Sequence, residues 1–158
     1  MEIVDAAPHH AAEIAAIYAP HVTGSTTSFE ATAPDAAEIE RRMATNRPWL
    51  VAEVDGATIG YTYASPFKNR EAYRHTRETT VYVAPHRQRQ GVATALSHAL
   101  LERLSAEGVH VAVAVIALPN PASVATAESV GYVRSGIIPE AGSKHDRWID
   151  IGFWVRLL

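Results

Sequence analysis

The ten residues VHVAVAVIAL, Val109 to Leu118, constrain the fold more than any other stretch of the chain. Apart from His110 the run is apolar and rich in valine, whereas a strand with one wet face would alternate with polar residues. It reads as a strand buried on both faces, so a sheet must carry helices on each side. The flanking segments can supply them. Val92 to Glu107 places Val92, Ala95, Leu96, Ala99, Leu100 and Leu104 at helical spacing and is closed by Gly108. Pro121 to Val130 reads as a short helix that stops before Gly131. Upstream, His10 to Pro20 sets Ile14, Ile17 and Tyr18 at helical spacing, with Pro20 ending the helix. Asp35 caps another helix through Ala44, with Glu38 completing a capping box.

The remaining strands are Glu2 to Ala6, Trp49 to Val54, Thr58 to Ala64, Thr79 to Val83, Tyr132 to Ile138 and Trp148 to Leu157. Asp55-Gly56 between the second and third is a strong hairpin signal. Thr23 to Ser28 is a loop. Helices alternate with strands but an antiparallel hairpin sits near the start, so a mixed sheet with helices on both faces is expected. With 158 residues, no repeat and no long linker, residues 1–158 read as one domain.

Several function classes recede. The formal net charge of −3 lacks the basic excess of a nucleic-acid-binding domain. No segment approaches the ~20 continuous apolar residues of a membrane span. The opening MEIVDAAPHHAAEIAAIY is not a secretory signal, and the chain has no cysteine, which suits a reducing, cytoplasmic setting. There is no phosphate-loop G-x-x-x-x-G-K-[ST], no G-x-G-x-x-G after a strand, no G-x-S-x-G and no H-E-x-x-H. His9-His10 falls at a helix start, the eight histidines read as scattered surface residues, and no metal site is expected.

One loop points to chemistry. In APHRQRQGVATAL, Ala84 to Leu96, a strand ends, a basic turn follows and Gly91 opens a helix. Unpaired backbone N–H groups at a helix N-terminus form an anion site, and Gly91 with Ala93 lets a ligand approach the backbone. On the loop alone, an anion site and an ordinary solvated turn are equally supported.

The wider pattern is more specific. A strand, the Q-x-x-G-x-A loop of Gln88, Gly91 and Ala93, a helix and a buried strand are followed by Asn120, Ser123 and Gly131-Tyr132. Together they resemble the GNAT superfamily of acyl-CoA-dependent N-acetyltransferases. The segment FKNREAYRHTRETTVYV, Phe67 to Val83, is similar to the phosphinothricin and methionine sulfoximine N-acetyltransferase branch. So are RPWLVAEVDG (Arg47 to Gly56), AVIALPN (Ala114 to Asn120) and SKHDRWIDIGFW (Ser143 to Trp154). The resemblance implies an α/β (α+β) GNAT fold with a mixed, mostly antiparallel central sheet flanked by helices on both faces.

It also implies acetyl-CoA as co-substrate and a homodimer, with no metal. The loop Gln88, Arg89, Gln90, Gly91, Val92 and Ala93 would cradle the pyrophosphate of coenzyme A. The strand Val81, Tyr82 and Val83 would pair with the pantetheine arm, and Asn120 and Ser123 would contact the cofactor from the next helix. Glu78 is the expected general base, which requires burial to lift its pKa from about 4.3. On the residues alone, a strand-end ion pair with Arg77 or Arg74 is the favoured reading. The Val83 N–H would stabilise the oxyanion. Lys68, Arg70, Tyr73, Thr80, Phe29 and His145 are the expected substrate residues, and the cations suit an amino acid with two anionic ends.

One position departs from the pattern. Four residues after Ser123, where the family places a tyrosine or, in this branch, a histidine to protonate the thiolate, stands Ala127. Solvent or Tyr132 would have to supply that proton. Another amine, such as a polyamine or a protein N-terminus, and a non-catalytic acyl-CoA-binding module remain as alternatives. The segment Trp148 to Trp154 fits a dimer contact or the core.

Overall fold

A computed structural model of the chain describes residues 1–158. Seven strands form one sheet: β1 (Glu2–Asp5), β2 (Trp49–Val54), β3 (Ala57–Pro66), β4 (Thr76–Val83), β5 (Val111–Leu118), β6 (Val133–Lys144) and β7 (Arg147–Leu157). Their order is β1-β2-β3-β4-β5-β7-β6, and every neighbouring pair is antiparallel except β4 with β5. A parallel pair needs a crossover, which α3 (Val92–Ala106) provides. The sheet is mixed and mostly antiparallel, as expected.

Helices cover both faces. On one, α1 (Ala11–Thr23) and α2 (Ala36–Thr45) bury Ile14, Ile17, Val22, Ile39 and Met43 against Trp49, Val51 and Tyr61. On the other, α3 buries Leu96, Leu100 and Leu104 against Leu50, Ala52 and Ile59. Val51 and its neighbours Leu50 and Ala52 thus serve opposite layers, the period-2 geometry of a strand covered twice. The helix α4 (Pro121–Ser129) extends the second layer, where Ala127 joins Ala112, Ile116 and Trp154. The valine-rich run forms β5, held between β4 and β7 in the middle of the sheet. Asp55 and Gly56 make a tight turn with φ of 52° and 77°, and Val54 pairs with Ala57 across it.

Four local expectations need correction. Pro20 lies inside α1, which continues to Thr23. Proline removes one backbone bond, but Val22 beyond it is buried and Gly24 N–H donates to the Pro20 carbonyl at 2.9 Å, so one more turn is held. Asp35 does cap α2, accepting from Glu38 N–H at 2.9 Å, but the Glu38 carboxylate turns forward to Arg41 (2.7 Å) and Arg42 (2.8 Å) instead of closing the box. His10 is not a surface histidine. It is 4% exposed, its Nδ1 accepts from Ala7 N–H at 2.9 Å, and its Nε2 therefore donates to Glu53 Oε1 at 3.1 Å. Finally, β6 runs six residues past Ile138, to Lys144, after an irregularity between Ile138 and Gly142. An edge strand with polar side chains gives no hydrophobic alternation to read.

That extension matters to the site. Lys144 Nζ donates to the Val22 and Ser28 carbonyls, both at 2.6 Å, and Gly142 lies directly against the Phe29 ring. The β6–β7 hairpin therefore straps the loop that follows α1.

Candidate active site

β4 and β5 lie side by side only from Thr76 to Thr79 and from Val111 to Ala114, and then they part. On its other edge β4 stays paired with β3 through Val83, and Ala84 N–H donates to the Ile59 carbonyl at 2.9 Å. Antiparallel bonding alternates along a strand. The backbone groups of Glu78, Thr80 and Tyr82 are therefore spent on β3, while those of Val81 and Val83 point into the gap. An open cleft of about 1160 Å³ occupies that gap.

The α3 end of the cleft is built from backbone. Gly91 has φ 79° with open space where a side chain would begin, so the chain turns sharply there and leaves room for a ligand. No side chain caps α3, and its first backbone bond runs from Ala95 N–H to the Gly91 carbonyl at 3.0 Å. The N–H groups of Val92, Ala93 and Thr94 have no intrahelical partner. Arg87 lines the same wall, and its Nε is buried without a partner. A buried guanidinium donor beside a row of orphan N–H groups suits a phosphate better than a solvated turn. At α4, Asn120 Oδ1 accepts from Ser123 N–H at 3.1 Å, so this pair caps the helix while both residues line the cleft.

The other end lies on the α1 face, where Glu78, Thr80 and Tyr82 point. Glu78 is half-buried and has no ion pair: Arg77 donates to the Arg74 and Thr76 carbonyls (3.0 and 3.4 Å), and Arg74 pairs with Glu71 at 3.7 Å. Burial lifts the Glu78 carboxyl above the usual carboxylate range. Tyr18 donates to Glu30 Oε1 at 2.9 Å and lies 2.6 Å from Ser28 Oγ, and Arg42 clamps the Glu30 carboxylate with bonds of 2.6 and 2.9 Å. This network fixes the Thr27–Glu30 wall. His21 packs against Tyr82 with the rings tilted and centroids 4.8 Å apart, its Nε2 is buried and unpartnered, and burial holds its imidazole below the usual histidine range.

Most expected site residues converge here. Glu78, Thr80, Val81, Tyr82 and Val83 line the cleft from β4; Gln88, Arg89, Gly91, Val92 and Ala93 from the loop and α3; Asn120, Ser123 and Phe29 from elsewhere. Five do not line it. Gln90 turns back, its Nε2 donating to the His86 carbonyl at 3.3 Å. Lys68 sits over the Phe67 and Tyr73 rings at 5.4 and 5.7 Å, so the β3–β4 connection packs Lys68 and Tyr73 on itself. Arg70 is exposed without an ion pair, and His145 is exposed in the β6–β7 turn at φ 51°. Tyr18, His21, Ser28, Glu30, Tyr63 and Arg87 line the cleft and were not anticipated as site residues.

Residues 13–153 match the model of the Acetyltransferase (GNAT) family. The chain belongs to the GNAT acetyltransferase family. Among its relatives, the phosphinothricin N-acetyltransferase of Streptomyces viridochromogenes is 41% identical over 97% of this chain and 87% of its own length. The L-methionine sulfoximine/L-methionine sulfone acetyltransferase of Pseudomonas aeruginosa is 34% identical over 89% of this chain and 84% of its own. A GNAT phosphinothricin acetyltransferase from Sinorhizobium meliloti, solved with acetyl-CoA, superposes with a TM-score of 0.95 at 35% identity, covering 99% of this chain and 88% of that one. The ribosomal-protein-alanine N-acetyltransferase of Brucella melitensis also reaches 0.95, at 31% identity and with both chains fully covered. The residues of this GNAT chain fit a coenzyme A thioester: unspent β4 backbone for an amide-bearing arm, and orphan N–H groups with Arg87 for phosphates.

Proposed function

We propose that the chain acetylates the amine of a small anionic amino acid, of the phosphinothricin or methionine sulfoximine/sulfone type, at the expense of acetyl-CoA. The observation that carries the mechanism is Glu78, a half-buried carboxylate with no ion pair at the point where β4 and β5 part. Acetyl-CoA supplies an activated acetyl group and a thiol leaving group. Val81 and Val83 offer backbone bonds to its arm, and Gln88 to Ala93 with Arg87 hold its phosphates. Asn120 and Ser123 flank the same wall. The Val83 N–H, pointing into the gap, is placed to stabilise charge on the carbonyl oxygen. Glu78 Oε takes the proton of the incoming amine, directly or through one water, while Thr80, Phe29 and Tyr82 bound the space the amine enters.

The names of the relatives support an anionic acceptor, and the cleft limits where its countercharge can come from. Arg42 is committed to Glu30 and Glu38, and burial disfavours charge on His21. Arg87 and Arg89 stand at the α3 end; at the amine end a free cation can come from the β3–β4 connection, which leaves the sheet next to Glu78, since Ser65 pairs with Glu78. Arg70 there is exposed and unpaired. Arg70→Ala should raise KM for an anionic amino acid about tenfold, the worth of one charge-assisted hydrogen bond, and leave kcat within about twofold. An unchanged KM removes Arg70 from the site.

A homodimer is part of this proposal. Val133, Ile137, Ile138 and Trp148 are each exposed along the β6–β7 hairpin, whereas Ile149 and Trp154 are core. A second copy would cover the apolar edge and bring the Lys144–Arg147 turn, with His145, against a neighbour. No helix is long and apolar enough to cross a membrane, and a cysteine-free enzyme that draws on acetyl-CoA belongs in the cytoplasm.

The test is a thiol-release assay with acetyl-CoA against phosphinothricin, methionine sulfoximine, methionine sulfone, a polyamine and an alanine-terminated peptide, preceded by calorimetry with acetyl-CoA. Turnover of the first three supports the proposal. Turnover confined to the polyamine or the peptide overturns the substrate class, and binding without any turnover points to an acyl-CoA sensor.

A further inference from the structure

We propose that Tyr132 is the proton donor to the departing coenzyme A sulfur, with the Thr79 hydroxyl as its support. The proposal rests on the acetyl-transfer reading above. The anion-binding wall belongs to the α3 layer and Glu78 to the α1 layer, so the thioester must cross the sheet where β4 and β5 part, with its sulfur arriving from the α3 side. Thr79, Ala114, Ala127, Val130 and Tyr132 are among the residues lining the cleft on that side. Thr94 and Ser97 of α3 and Ser123 and Thr126 of α4 also line the cleft, and Thr126 donates to the Ala122 carbonyl at 3.0 Å. Thr79 and Tyr132 are the hydroxyls that meet where β4 leaves β5, beside the buried methyl of Ala127.

Their geometry suits a donor. Tyr132 Oη lies 2.7 Å from Thr79 Oγ1, and Thr79 is the last β4 residue paired with β5. Thr79 can also donate to the Val113 carbonyl, but that contact is longer, at 3.3 Å. When Thr79 donates along the shorter contact, the phenol proton is free to point into the cleft. The ring is fixed by packing with Ala127, Val130 and Trp154, and Tyr132 N–H donates to the Ala127 carbonyl at 3.1 Å. Arg156, bound to the Val130 carbonyl, favours negative charge on the ring oxygen, as does the Thr79 bond.

In the step, the C–S bond breaks and its electron pair stays on sulfur. The Tyr132 O–H bond breaks and an S–H bond forms. The phenolate, held by Thr79 and Arg156, regains a proton from water, and Glu78 returns to water the proton it took from the amine. The net transfer is one proton from amine to thiol. Burial pushes the Tyr132 phenol up to about 12, above a thiol of about 8.5 in water. The same desolvation makes a thiolate at this point more basic, which narrows the gap.

Tyr132→Phe and Thr79→Val test this, with Thr79→Ser as the conservative control. Tyr132→Phe should keep the melting temperature and the calorimetric Kd for acetyl-CoA but lower kcat about 10²-fold, the low end of general-acid effects because a thiolate leaves tolerably unaided. Independently of turnover, the thiol of bound coenzyme A, followed by thiolate absorbance, should titrate about one pH unit higher in Tyr132→Phe than in the wild type. Thr79→Val should show part of both effects and Thr79→Ser neither. Equal thiol titration in wild type and Tyr132→Phe overturns the proposal even if kcat falls. A wild-type chain that binds neither acetyl-CoA nor coenzyme A overturns the acetyl-transfer reading instead.

Discussion

Glu78→Gln should lower kcat by about 10²- to 10³-fold, within the usual span for loss of a general base, while leaving the affinity for acetyl-CoA intact. Glutamine keeps the size of the side chain and loses only its basicity. Because burial raises the folded-state pKa, the wild-type rate should fall as pH drops through a value above the ordinary carboxylate range, and the variant should lack that limb. Stability moves the other way. A raised folded pKa contributes stability that is fully present below the unfolded value and lost as pH rises through the folded one. At neutral pH the ionised, unpaired Glu78 is a burden on the fold, so Glu78→Gln should melt at the same temperature or higher. Near-wild-type turnover would remove Glu78 from the mechanism. A lower melting temperature at neutral pH would mean that the carboxylate stabilises the fold through a hydrogen bond.

The sequence spoke clearly where one short segment decides the structure alone. The β5 run demanded cover on both faces, Asp55-Gly56 demanded a tight hairpin, and Gly91 ahead of an uncapped helix already implied orphan N–H groups. The α3 end of the cleft is built from such local backbone features, which is why the sequence could place Gly91, Val92 and Ala93 along it. The amine end is not local. Tyr18 and His21 sit three apart on α1 and look like part of its core stripe, and only the approach of β4 turns them toward a cleft. Glu30 and Arg42 are twelve residues apart and meet because the loop folds back on α2. The polar β6 extension, which carries the Lys144 strap, has no periodicity to betray it. Lys68 lies outside the cleft lining for a local reason: a lysine next to Phe67 and Tyr73 can pack over their rings.

Leu96→Ala should cost about 3 kcal/mol of stability, read as a lower denaturant midpoint at unchanged slope. The side chain is fully buried in the α3 layer. It rests directly on β3, because a Cβ added to Gly60 would come within 3.2 Å of Leu96 Cδ1 and Val92 Cγ1 and 3.0 Å of the Tyr82 carbonyl. No side chain separates the helix from the strand there, so the cavity left by alanine opens under the first turns of α3. Leu104, two turns further along and equally buried, provides the comparison, and Leu104→Ala should cost a similar amount. The two variants should part company in the presence of acetyl-CoA. A ligand at 100 times its Kd adds about 2.7 kcal/mol by binding only the folded state, and Leu104→Ala should recover that gain in full. Leu96→Ala should recover less, because the N–H groups of Val92, Ala93 and Thr94 lie within the turn that Leu96 anchors. Equal recovery would show that the Val92 contact on Gly60 holds the phosphate-binding turn unaided. In that case the stability of α3 and the geometry of its N-terminus are set independently.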